Sequence, residues 1–174
     1  MKSKKKLKIK KGPALIVGVA LLLMAAGLMI FSSTNTKNEP AIKIYFVEGD
    51  KLVGVKRPLN PADASLNQAM VELLKGPSLA EKKSGIKTQI PAGARALNMQ
   101  VKNRIATINF NRQLAEYGGG SDRINGIIAQ IIYTATEIPG VDKVWIYIEG
   151  ERELVLGGEG LVLDHPLGRA DLAN

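Results

Sequence analysis

Between Ser121 and Glu149 the apolar period of the chain changes from 3.6 to 2, and this limits what the chain can fold into. Ile124, Ile127, Ile128, Ile131, Ile132 and Ala135 recur at the spacing of one helical stripe. Ser121 is the expected N-cap, and Pro139-Gly140 is the expected stop. Val144, Ile146 and Ile148 then alternate with Trp145 and Tyr147, which predicts a strand apolar on both faces. A helix with so apolar a side needs a sheet beneath it. The unit reads as core, with no sign of catalysis.

The flanking segments extend the pattern. Ile42, Ile44 and Phe46 point one way and Lys43, Tyr45 and Val47 the other. Glu48-Gly49-Asp50 is turn chemistry, and Leu52 to Arg57 returns as a second strand. Asn60 as N-cap and Pro61 at N1 predict a helix with Leu66, Met70, Leu73 and Leu74 on its stripe, ended by Gly76-Pro77. Ser78 and Glu81 have capping-box spacing for one short turn. Leu97, Met99 and Val101 form a strand, joined through Lys102-Asn103-Arg104 to Ile105–Phe110. Leu154-Val155-Leu156 and Leu161-Val162-Leu163 close the series. The order predicts an α+β fold, a mostly antiparallel sheet with two main helices packed on one face.

The charge lies at one end. Seven lysines and no acid in residues 1–31 account for all but one unit of the net +8, so the folded part has no basic excess for nucleic acid. Pro13 to Phe31 is almost wholly apolar, and about 20 such residues span a bilayer as a helix. The run exceeds the roughly 7–15 apolar residues of a signal peptide, which favours an uncleaved anchor. The lysines before it should stay in the cytoplasm. The expected organisation is a cytoplasmic basic segment (1–12), a transmembrane anchor (13–31), a linker (32–40) and an extracytoplasmic domain (41–174). With no cysteine, a lipid-modified N-terminus and disulfides are excluded.

A catalytic reading finds little support. His165, the one histidine, precedes Pro166 and suits a structural or surface role. Ser121 follows three glycines, but N-capping accounts for it better than a nucleophile elbow. Gly118-Gly119-Gly120 completes no dinucleotide fingerprint and lacks a Walker lysine. Glu159 and Asp164 read as solvated charges. No catalytic residue, metal or cofactor is expected. One feature points outward: Tyr45, Trp145 and Tyr147, with Lys43 and Lys143, fall on the sheet face away from the helices, as a partner-binding surface would. The other reading is a minor core beneath the closing strand or tail.

Several stretches together resemble the sporulation and spore germination domain known as GerMN. They are Gly76-Pro77-Ser78 with Glu81 and Gly85, Ile90-Pro91-Ala92-Gly93, Ala129 to Thr136, and Pro139 to Val144. The closing run Gly157-Gly158-Glu159-Gly160-Leu161 with Asp164 and Arg169-Ala170-Asp171 is similar to the family's C-terminal signature. The resemblance covers residues 41–174. It implies a non-catalytic, membrane-anchored envelope protein of sporulation or germination, working as scaffold or assembly factor through protein–protein contacts. Its partner would be an envelope or sporulation protein, or further copies of itself in oligomers or rings. The alternative is a peptidoglycan-binding module or a modulator of a wall hydrolase. The chain departs from the sporulation member in its single copy and its lack of a lipoprotein cysteine. Arg104 stands where a hairpin glycine is expected.

Overall fold

A computed structural model of the protein describes residues 40–59, 65–116, 118, 120–151, 155–156, 161–162 and 164–172. Residues 1–39, which include the expected basic segment, anchor and almost all of the linker, lie outside them. So do Asn60, Pro61 and Gly157 to Gly160. Among the described residues no helix is long and apolar enough to cross a membrane. Pro40–Asn174 make one compact unit.

Strands β1 (Ala41–Glu48) and β2 (Lys51–Pro58) form an antiparallel hairpin about Gly49-Asp50. Gly49 has φ 58°, the left-handed backbone that a tight hairpin turn needs. Ile42, Ile44 and Phe46 are buried on one side as the alternation predicts. Val47 is buried as well, because the far edge of β1 pairs Val47 with Lys87 of the short β3 (Ile86–Lys87).

Helix α1 spans Leu66–Lys75, while the expected start at Asn60-Pro61 lies outside the described residues. Its N-cap is Ser65, whose hydroxyl accepts the Gln68 N–H at 3.4 Å. Leu66, Ala69, Met70 and Leu73 are buried, and Gly76 (φ 78°) ends the helix with its N–H on the Leu73 carbonyl. The short α2 (Leu79–Lys83) carries the full capping box: the Ser78 N–H donates to Glu81 and the Glu81 N–H donates to the Ser78 hydroxyl.

The expected single, mostly antiparallel sheet is instead divided. The first sheet has the order β2-β1-β3, and a second is built from β4 (Ala96–Lys102), β5 (Ile105–Phe110) and β6 (Lys143–Ile148). A two-stranded ribbon, β7 (Val155–Leu156) and β8 (Leu161–Val162), is separate. β4 and β5 are antiparallel, but β5 and β6 are parallel. The reason lies in the connection. After a 3-10 turn at Arg112–Ala115, helix α3 (Ser121–Ala135) carries the chain back to the end where β5 began, so β6 must run alongside it.

Two boundaries differ from expectation. The N-cap of α3 is Gly120, with Ser121 as the first helical residue, and the helix stops at Ala135 ahead of Ile138-Pro139. Asn103 and Arg104 both adopt left-handed backbone, φ 52° and 63°, in the two-residue turn between β4 and β5. Arg104 fills the glycine position while held to Asp142. Its guanidinium donates to both carboxylate oxygens, at 2.5 and 2.7 Å, and its carbonyl accepts the Asp142 N–H at 2.8 Å.

The apolar stripe of α3 is buried as predicted, and two polar residues are buried beside it. Gln130 and Thr134 are fully inaccessible. Thr134 Oγ1 accepts the Tyr45 N–H at 3.0 Å. Gln130 Oε1 accepts the Gln89 N–H at 2.9 Å, and its amide donates to Thr88 Oγ1 at 3.0 Å. These side chains serve backbone that β3 leaves unpaired at the edge of the first sheet.

Candidate functional site

The second sheet has one face in the core and one turned outward. Ala106, Ile108, Phe110, Val144, Ile146 and Ile148 are buried on the inner side. The register places the outward residues in three rows across the strands: Lys102, Ile105 and Lys143; Gln100, Thr107 and Trp145; Asn98, Asn109 and Tyr147. The β4 members and Lys143 are exposed, and Ile105, Thr107, Asn109, Trp145 and Tyr147 are half-buried. The Trp145 and Tyr147 rings are tilted by 55° with centroids 6.2 Å apart. The nine positions hold two lysines, three amides, a threonine, an isoleucine and two aromatics, and no carboxylate, so the face is mildly positive and rich in neutral hydrogen-bonding groups. Asn109 also fixes the end of β6, since its Oδ1 accepts the Gly150 N–H at 2.9 Å.

Of the five residues expected to share one face, Trp145, Tyr147 and Lys143 stand together on β6, whereas Tyr45 and Lys43 belong to β1 in the other sheet. The expectation assumed one sheet, but β1 and β6 belong to different ones. Tyr45 is held in a polar cluster of its own. Its hydroxyl donates to Glu137 Oε1 at 2.8 Å, its ring lies 5.3 Å from that of Tyr133, and both rings stack with the Arg169 guanidinium. Arg169 donates in turn to Glu137 at 2.6 Å, to the Thr136 hydroxyl at 2.7 Å and to the Tyr133 carbonyl at 3.0 Å. Burial, with the Glu137 hydrogen bond and charge, raises the Tyr45 pKa. Burial works against ionisation of Glu137, but the hydrogen bonds from Arg169 and Tyr45 outweigh it and lower that pKa. This cluster fastens the C-terminal segment, where Leu167 and Val144 exchange backbone hydrogen bonds at 2.8 and 3.0 Å.

The remaining residues weighed for chemistry are accounted for locally. His165 is exposed and its Nδ1 lies 2.5 Å from Asp164 Oδ1, an interaction that lowers the Asp164 pKa. The Gly118 carbonyl accepts from Arg123 at 2.6 Å. Gly119 and Glu159 lie outside the described residues. Among the described residues no three histidine, aspartate or glutamate side chains gather at a spacing that could hold a metal ion. The sequence reading missed the outward polar rows of β4 and β5. Their period-2 signal was present in Asn98, Gln100, Lys102 and in Thr107, Asn109, but which strand they joined depends on the parallel register.

The sequence profile of a family described as sporulation and spore germination, Germane, matches residues 43–154. No curated protein matches the sequence significantly. Among solved structures, the tandem GerMN domains of the sporulation protein GerM from Bacillus subtilis match with a TM-score of 0.60 and 26% identity. That match covers 74% of this chain and 45% of the tandem-domain chain, so the protein spans under half of that length. The first GerMN domain of the same protein matches with a TM-score of 0.62 and 20% identity, over 76% of this chain and 99% of the domain. A protein from Clostridium perfringens described as a lipoprotein has the same fold, with a TM-score of 0.54, 21% identity and coverage of 75% and 89%. With the profile extending from β1 to beyond β6 and the fold shared with both GerM structures, the chain belongs to the Germane family of sporulation and spore germination domains.

Proposed function

We propose that the protein is a non-catalytic envelope component of sporulation or germination, anchored in the cell membrane by residues 13–31, whose outer domain works as scaffold or assembly factor. The observation that carries this reading is the outward face of the second sheet, where Trp145 and Tyr147 pack 6.2 Å apart with Lys143 beside them and polar rows alongside. Paired aromatic residues flanked by a polar surface are in keeping with the composition of protein contact surfaces. Membership of the Germane family supports the cellular setting. The test is recovery of partners with the full-length protein after cross-linking in the native envelope. Trp145→Ala should abolish recovery while the circular dichroism spectrum and melting temperature stay close to wild type. Unchanged recovery would count against this face.

Asn98, Gln100, Thr107 and Asn109 favour a second reading, since amides and hydroxyls beside aromatic rings also suit sugars. On that reading the face binds peptidoglycan, or places a wall hydrolase on it. The protein should then co-sediment with purified peptidoglycan, and Tyr147→Ala should weaken the association. Failure to co-sediment removes the alternative.

A further inference from the structure

Strand β4 has β5 on one side and, among the described residues, no strand on the other. Lys102 and Ile105 flank the two-residue turn and so exchange hydrogen bonds as the closing pair of the hairpin. The amides of Lys102 and Gln100 therefore point to β5, and those of Val101 and Met99 point to the open edge. A bulge between Ala96 and Asn98 interrupts the strand at its start, which leaves Asn98–Lys102 as the regular part. Along this edge Val101 is 48% exposed and Leu97 is 52% exposed, both high for large apolar side chains.

We infer that the free edge of β4 is an interface with a second copy of this chain, paired antiparallel about a two-fold axis at Gln100. In that register all five residues pair among themselves, whereas moving the axis to Met99 or Val101 leaves two of the five opposite residues beyond the regular strand. Met99 faces Val101 of the second copy, so apolar meets apolar on the inner side. On the outer side Gln100 faces Gln100, and Asn98 faces Lys102 without opposing like charges. The Met99 and Val101 amides and carbonyls that point outward exchange hydrogen bonds with the same groups of the other copy. A two-fold contact of this kind closes on itself and stops at the dimer. It also joins the two outward faces into one continuous surface on a six-stranded sheet, with Trp145 and Tyr147 at either end. The pairing rests on the strand edge alone and holds whatever that face binds.

The chain has no cysteine, so single thiols report the register directly. Gln100 faces its own copy in a non-hydrogen-bonded pair, with Cα atoms about 4.5 Å apart, which is within disulfide reach. In the full-length protein, Gln100→Cys should oxidise to a disulfide-linked dimer about tenfold faster than Lys56→Cys, an exposed control on β2, because pairing raises the effective thiol concentration. Asn98→Cys, whose counterpart is Lys102 and not itself, should react at the control rate. Adding Val101→Lys to Gln100→Cys should bring the rate down to that of the control. Equal rates for the Gln100 and Lys56 thiols, or a Gln100 rate unaffected by Val101→Lys, would overturn the interface.

Discussion

The side chain of Thr134, buried completely on α3, accepts the backbone N–H of Tyr45 in β1 at 3.0 Å. Four residues earlier, Gln130 does the same for Gln89. Helix α3 thus acts at once as the apolar layer under the sheets and as a stand-in for a missing strand at one sheet edge. A purely apolar helix could not take that position, because the Tyr45 and Gln89 N–H groups would be buried without acceptors.

Thr134→Val keeps the shape and removes the acceptor. It should destabilise the protein by about 1–3 kcal/mol, the cost of an unsatisfied buried donor, whereas Thr134→Ser should cost less. Urea denaturation of the two variants measures the difference. Equal stabilities would show that the Tyr45 N–H finds another acceptor.

Arg57 donates to both oxygens of Glu81 at 2.7 Å, joining β2 to the start of α2. These bonds, with those from Ser78, hold the Glu81 pKa down from 4.5 to about 2. A depressed carboxylate pKa stabilises the fold in full above the unfolded value, and the contribution is lost as pH falls from there towards about 2. Glu81→Gln should therefore cost about 1–3 kcal/mol at pH 7 and show a shallower loss of stability in acid. Denaturation midpoints between neutral pH and the acid limit check both the size and the slope.

Arg169 is the clasp of the C-terminal segment, through Glu137, Thr136, the Tyr133 carbonyl and two tyrosine rings. Arg169→Lys retains the charge but loses the planar fork and most of the stacking. Hydrogen exchange at the Leu167 and Val144 amides should quicken about tenfold or more, corresponding to roughly 1.4 kcal/mol of local stability. Amides of β1 and β2 should be unaffected. Equal acceleration throughout would mean that the segment and the domain unfold as one.

Much of the core was legible in the sequence because burial imposes a period. The isoleucine stripe of α3, the alternation of β1 and β6 and the capping box at Ser78 depend on neighbours within a few residues, and each is present. Helix boundaries were less legible. Ser121 is a competent cap by type, but the cap formed is Gly120, since tertiary packing decides where a helix must begin.

By itself the sequence determined an α+β domain, its hairpins and the side of each helix that is buried, because apolar residues at a helical or strand period have few ways to leave water. The tertiary structure decided how the strands divide. The α3 crossover makes β6 parallel to β5, and this sets Trp145 beside Thr107 and Tyr147 beside Asn109, while Tyr45 goes to the other sheet and the Arg169 clasp. Pairing between distant strands follows from chain path and register, and neither leaves a mark on any short stretch of sequence.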